Sequence, residues 1–185
     1  MTHITTEEFT VSPATEADVE GIGEAQLESW VQTYPNAELG IDEEWIRDQV
    51  GFLAEKRGND FRRKTVQASQ QPGSNQLYLV VKNQQNRVRG FLHITREVDH
   101  ATFDAIYLTQ EAQGIGIADE LMGRALDFAG HLPMTVEVAD YNDRAIRFYE
   151  KYGFEKQIGD AKKHLHRDKI PIMVMKRPAK EKNEV

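Results

Sequence analysis

The sequence predicts an α/β (α+β) fold: one mixed, mostly antiparallel central sheet of about six or seven strands, with helices on both faces. Three observations lead there. Residues 77–81 and 88–94, LYLVV and VRGFLHI, are strand segments on either side of the short polar turn 83–86, which makes an antiparallel hairpin. Residues 101–108, ATFDAIYL, form another strand that runs into the glycine turn AQGIGIA and then an amphipathic segment, the pattern of a crossover to a parallel strand. No repeat or interdomain linker interrupts the 185 residues, so a single domain is expected over 1–178, with a charged tail at 179–185.

The elements follow in order. Phe9–Pro13 is a short first strand. Thr15 offers an N-cap with Asp18 three residues on, and Val19, Ile22, Leu27, Trp30 and Val31 then recur at near-helical spacing until Pro35. A second helix starts at Asp42, carries Trp45, Ile46, Val50 and Leu53 as its apolar stripe, and stops at Gly58. QASQQPGSN, 67–75, is rich in turn formers and reads as a surface loop. Beyond the glycine turn a helix carries Ile117, Leu121, Met122, Ala125 and Phe128 and ends at Gly130. Residues 134–138 form a strand, 142–152 a helix closed by Gly153, and 170–175 a last strand.

Composition narrows the function. With 39% hydrophobic and 29% charged residues, the chain suits a soluble domain with a real core. It has no cysteine, which excludes disulfides, thiolate catalysis and cysteine-based zinc sites, and fits a reducing cytoplasm. MTHITTEEFTV lacks the basic and apolar regions of a signal peptide, and no apolar run approaches the roughly 20 residues that cross a bilayer. A cytoplasmic location without membrane contact is therefore expected. A net charge of −7 argues against a nucleic-acid partner, which needs excess Lys and Arg. It suits plain solubility or a cationic ligand.

The glycine turn is where chemistry enters. Glycine turns that open helices hold anions, because free backbone N–H groups and the positive helix end both point at the ligand. The run GxxxxGK[ST] of a nucleotide-binding loop is absent, and counting from Gly114 puts Asp119 where a dinucleotide fingerprint needs its third glycine. A plain structural turn is the remaining alternative.

Two segments resemble one family. Gln113-x-x-Gly116-x-Ala118 matches the Q/R-x-x-G-x-G/A motif of the GNAT superfamily of N-acetyltransferases. Asn142 to Phe154, N-x-x-A-I-x-F-Y-x-x-x-G-F, is similar to that family's C-terminal cofactor helix, and the likeness covers residues 9–175. The resemblance implies acetyl-CoA as co-substrate, with its pyrophosphate on the backbone of Gln113, Gly114, Ile115, Gly116, Ile117 and Ala118. It implies that the strand before the turn splays from its neighbour and leaves the Leu108 N–H for the thioester carbonyl. Tyr149 matches the tyrosine that protonates the leaving thiolate, a position that also suits a core aromatic. Asn142 matches a contact to the cofactor arm and equally suits an N-cap.

The proton acceptor is less defined. Asp104 lies where many members carry an acidic residue, and period-2 alternation puts it on one face with Ile106 and Leu108. An ordinary aspartate, with a pKa of about 3.9, needs burial or a relaying water to serve as a base. Glu137 on the following strand is the alternative, and a salt-bridged carboxylate is the bland reading of either. Trp30, Tyr34 and Trp45 lie where members bind the acceptor, and suit either an aromatic wall for an amine or the core. Glu38, Asp42, Glu43 and Glu44 add acidity beside them.

His164 and His166 share one face of a short strand without a third ligand nearby, so no metal is expected. Lys162, Lys163, His164 and Arg167 read as a solvated basic patch, with a contact to the coenzyme A 3′-phosphate as the alternative. Together these readings predict direct transfer of acetyl from acetyl-CoA to the primary amine of a small, polyamine-like molecule. A protein N-terminal acetyltransferase and a non-catalytic acyl-CoA sensor are the alternatives. Dimers are common in the family, which leaves a homodimer open.

Overall fold

The structure, a computed structural model, describes residues 8–157, 164–166 and 169–180. Lys162, Lys163, Arg167 and the predicted tail beyond Lys180 lie outside them. The strands are β1 (Phe9–Pro13), β2 (Gln76–Asn83), β3 (Val88–Arg96), β4 (Ala101–Leu108), β5 (Met134–Ala139), β6 (Glu155–Lys156), β7 (His164–His166) and β8 (Ile170–Arg177). The helices are α1 (Val19–Thr33), α2 (Glu43–Val50), α3 (Lys56–Ser69), α4 (Ile117–Ala129) and α5 (Asp143–Lys151). All the strands join one sheet in the order β1-β2-β3-β4-β5-β8-β6, with β7 also on β8. Among the described residues, only β4 and β5 run parallel. The mixed, mostly antiparallel sheet is as predicted, enlarged by the short β6 and β7.

Helices cover both faces. Residues of α4 and α5, among them Ile117, Leu121, Met122, Ile146 and Tyr149, pack on Leu92, Ile94, Phe103 and Val136. On the other face Val19, Ile22 and Ala25 of α1 and Val66 of α3 meet Tyr78, Val80 and Phe91. A third cluster joins Trp30 to Ile46 and Val50 of α2 and to Ala139 and Ile170 at the far end of the sheet.

The caps form as expected. Asp18 accepts from the Thr15 N–H at 2.9 Å and the Thr15 hydroxyl at 2.8 Å, and Asp42 accepts from the Trp45 N–H at 2.8 Å. The expected helix from Asp42 to Gly58 is corrected: α2 ends at Val50, a 3₁₀ turn covers Gly51–Ala54, and α3 follows up to Ser69. The segment KRGNDFRRKTVQAS hides this helix because its inner face is polar. Gly58, Asn59, Arg62 and Val66 are buried while Phe61 is 74% exposed. Arg62 donates to Asn59 Oδ1 (2.8 Å), Gln26 Oε1 (2.9 Å) and the Leu53 carbonyl (3.2 Å), so its buried charge is bonded. Gly58 is needed for contact, not termination: a Cβ there would stand 2.5 Å from the Phe52 carbonyl oxygen.

Candidate active site

The parallel pair opens. β4 and β5 pair only at Ala101–Met134, Thr102–Thr135 and Phe103–Val136. Beyond Phe103 they part, and the gap is a cavity of about 730 Å³ that reaches both faces of the sheet. On its other side β4 stays paired with β3 as far as Gly90–Leu108. The Thr109 N–H donates to the Arg89 carbonyl at 2.9 Å on that side. Alternation along a strand then turns the Leu108 N–H away from β3 and toward the gap. The expected splay is present, and this N–H faces it.

One half of the cavity is backbone. Gly114 and Gly116 sit at φ +77° and +92°, a left-handed conformation that costs other L-residues about 1–2 kcal/mol. This strain, which spacing alone does not reveal, explains the glycines. α4 starts immediately after, and its first internal bond runs from the Glu120 N–H to the Gly116 carbonyl. The N–H groups of Ile117, Ala118 and Asp119 therefore have no partner within the helix. Gly114, Gly116, Ala118, Asn142 and Tyr149 line the cavity beside them, while Ile115 and Ile117 turn into the core. This cradle fits a phosphate-bearing ligand. The Asp119 carboxylate at its edge is bonded to Lys151 Nζ (2.6 Å) and the Tyr152 hydroxyl, and that lysine holds its pKa below the ordinary value.

Two side chains fix the turn. Gln113 Nε2 donates to the Leu108 carbonyl at 2.7 Å, and Arg144 donates to Gln113 Oε1. The glutamine thus ties the end of β4 to the start of α5. Asn142 Oδ1 accepts from the Ala145 N–H at 3.1 Å, so the N-cap role is real while the residue still lines the cavity. Tyr149 combines its two expected settings as well. Its ring lies 6.0 Å from Phe103 and 5.5 Å from Phe154 in the core, and it borders the cavity. Burial, reinforced by Tyr107, pushes its phenol pKa well above the ordinary value.

The other half is made of side chains. Ser29 and Gln32 of α1, Tyr34 just beyond its end, Asp104 of β4 and Glu137 of β5 line it. Burial raises the pKa of the Tyr34 and Tyr107 phenols. The expected common face of Asp104, Ile106 and Leu108 is corrected. The β3–β4 register shifts between His93 and Ile94, which leaves Asp104 as an extra residue in a bulge. Ile106 and Leu108 join the α4/α5 core. Asp104 instead accepts from Thr95 Oγ1 at 2.6 Å and lies 3.4 Å from His93 Nδ1, on the opposite face.

The aromatic residues separate too. Tyr34 lines the cavity, but Trp30 is buried in the core against Tyr34 and Tyr107, with ring centroids 4.8 Å and 6.4 Å away. Trp45 does not line this cavity. It borders a separate shallow hollow with Gly40, Asp42, Glu43 and Glu44, where Lys169 Nζ lies 5.3 Å from its ring centroid. Of His164 and His166 the structure describes only the strand backbone. Sequence reasoning missed Arg144, His93 and Thr95. Each meets its partner through register or helix placement, and no local pattern marks it.

Comparison with known proteins agrees with this architecture. Residues 24–154 match the Acetyltransferase (GNAT) family, and the chain belongs to it. It is therefore an acyltransferase of the N-acetyltransferase kind. Over 102 residues it is 29% identical to the 5-NmdU N-acetyltransferase of Pseudomonas phage PaMx11, covering 54% of this chain and 71% of that protein. Its fold is similar to the PaiA N-acetyltransferase of Thermoplasma acidophilum solved with coenzyme A (TM-score 0.73, 22% identity, 92% of this chain and 98% of that one). It also resembles a chimeric spermidine N-acetyltransferase from Vibrio cholerae and hSSAT (TM-score 0.59, 19% identity, 92% and 95% covered).

Proposed function

We propose that the protein transfers acetyl from acetyl-CoA directly to the primary amine of a small cationic molecule. The observation that carries this reading is the cavity at the β4–β5 split, with a backbone anion cradle in one half and two carboxylates in the other. Acetyl-CoA supplies the activated acetyl group as a thioester. The N–H groups at Gly114–Ala118 and the α4 N-terminus hold its pyrophosphate, and Asn142 contacts its arm. The Leu108 N–H donates to the thioester carbonyl oxygen and stabilises the charge that develops there. Asp104, directly or through a water, takes a proton from the incoming ammonium, with Glu137 as the alternative acceptor. Tyr149 keeps its proton through the neutral range, because burial raises its pKa, and gives it to the departing sulfur. With no cysteine to carry an acyl group, the amine attacks directly.

The acceptor class rests on the carboxylates and the half-buried Tyr34, which suit an ammonium on an aliphatic chain. The spermidine enzyme among the similar folds is consistent with it. Thiol release from acetyl-CoA against a panel of amines tests the reading. The panel holds polyamines, 5-NmdU, aminoglycosides and peptides with free N-termini, each set against a blank without acceptor. Turnover with small cationic amines is the expected result. Preference for the peptides would make this an N-terminal acetyltransferase instead. Silence across the panel, with acetyl-CoA binding intact, would favour a sensor.

A further inference from the structure

The bulge in β4 joins Asp104 to a group that the family motifs do not contain. His93 of β3 is half-buried, with its ring 4.9 Å from Tyr78 of β2 in a stacked arrangement. Its Nε2 lies 3.2 Å from Gln76 Oε1. An amide oxygen only accepts, so Nε2 carries the hydrogen and a neutral imidazole turns its Nδ1 lone pair toward Asp104 Oδ2, 3.4 Å away. Two acceptors then face each other, and one added proton satisfies both. The Thr95 hydroxyl anchors the same carboxylate oxygen at 2.6 Å. Asp104 Oδ1 has no hydrogen-bond partner among the described residues, and Asp104 borders the cavity.

We propose that the proton acceptor of this enzyme is the His93–Asp104 pair, with Asp104 facing the amine and His93 as the positioning residue that holds the proton behind it. The inference rests on the reading of Asp104 given above. An ordinary aspartate, at a pKa of about 3.9, is a weak base for an ammonium near neutral pH. The pair is a better one, because the proton settles on Nδ1 as an imidazolium bonded to a carboxylate. The balance is complete. An ammonium loses two protons on becoming an amide: one passes by Oδ1 or a bridging water to the pair and then to solvent, the other reaches the sulfur through Tyr149. The nitrogen lone pair forms the new C–N bond as the C–S bond breaks.

The other groups around His93 leave this role to it. Tyr78 stays protonated, its pKa pushed up to about 12 by burial against the pull of Arg62. Arg62 of α3 lies close enough to pull on that phenol, while the other cations of this face, Arg89 and Lys82, are paired with Glu28 and Asp18. Gln76 and Thr95 do not titrate. Burial pushes the imidazole below its ordinary value, and the Asp104 carboxylate pulls it back up. Held below its ordinary value, the imidazole carries no added proton at neutral pH and is free to accept one.

Two measurements test this on the whole protein. First, NMR titration of the His93 imidazole without ligands, its signals assigned by loss in His93→Gln, should show a pKa that drops further in Asp104→Asn, since the charge raising it is gone. An unchanged value would overturn the inference. Second, pH profiles of kcat/KM should separate the parts. Asp104→Asn should lose about 100-fold or more on the plateau above the acid limb, the scale of a general base. His93→Gln should lose about tenfold near pH 7, shift the acid limb downward, and keep wild-type acetyl-CoA affinity. Full activity in Asp104→Asn would end the Asp104 reading itself. An impaired Asp104→Asn beside a His93→Gln profile that superimposes on wild type would end the His93 inference alone.

Discussion

The two halves of the cleft are built from different materials. The half beside α4 and α5 presents backbone: two left-handed glycines, an open helix end and the Leu108 N–H. The half beside α1 presents side chains, with Asp104, Glu137 and Tyr34 arriving from β4, β5 and the end of α1. Backbone recognition suits a ligand that never changes, because it depends on turn geometry and tolerates side-chain drift. Side-chain recognition lets the acceptor be chosen by a few substitutions while the scaffold stays fixed.

The largest effect that sharpens this contrast is expected at the junction of the halves. Tyr149→Phe keeps the ring packed against Phe103 and Phe154 and removes only the hydroxyl. Its kcat should fall about 100-fold with acetyl-CoA affinity unchanged, read by steady-state kinetics and calorimetry. Because burial raises this phenol's pKa, no loss of its proton should appear in the wild-type rate between pH 6 and about 9. Gly116→Val comes next. Strain at φ +92° of about 1–2 kcal/mol should weaken acetyl-CoA about tenfold or more in calorimetry, and a wild-type affinity would break the assignment of the backbone half.

Smaller effects fall in the side-chain half. Tyr34→Ala should raise the acceptor KM several-fold, about 1 kcal/mol for a lost aromatic contact to an ammonium, whereas Trp45→Ala should leave it within about twofold. Equal effects would mean that the hollow at Trp45 belongs to the acceptor path. The smallest catalytic effect is expected at Asp18, remote from both halves. Burial alone would raise its pKa, but Lys82 at 2.6 Å and the bonds from Thr15 outweigh it and hold the value below 3.8. A lowered folded pKa contributes stability that is full above the unfolded value, about pH 4, and fades as pH falls through the folded one. Asp18→Asn should therefore cost about 1–3 kcal/mol at pH 7 with kcat per folded molecule unchanged, and its melting temperature should converge with wild type in acid.

The backbone half was legible in the sequence because its devices are local. Gln113, Gly116 and Ala118 stand within six residues, and Asn142 caps the helix that begins beside it. Strand alternation and helix periodicity gave β1 to β5, β8, α1, α4 and α5 for the same reason. Where partners are distant in sequence, the reading failed. α3 hides its buried Arg62 in a polar segment, and only Gln26, Asn59 and the Leu53 carbonyl make that burial tolerable. Period-2 alternation misassigned Asp104 because a single extra residue opposite His93 reverses its face.

The sequence by itself determined the turn, its glycines and the order of the elements other than α3, β6 and β7, since these are the ones whose patterns are local. Only the tertiary structure decided which aromatic reaches the cleft and which partner Asp104 acquires. Those choices depend on strand register and helix packing, which join residues that the chain keeps far apart.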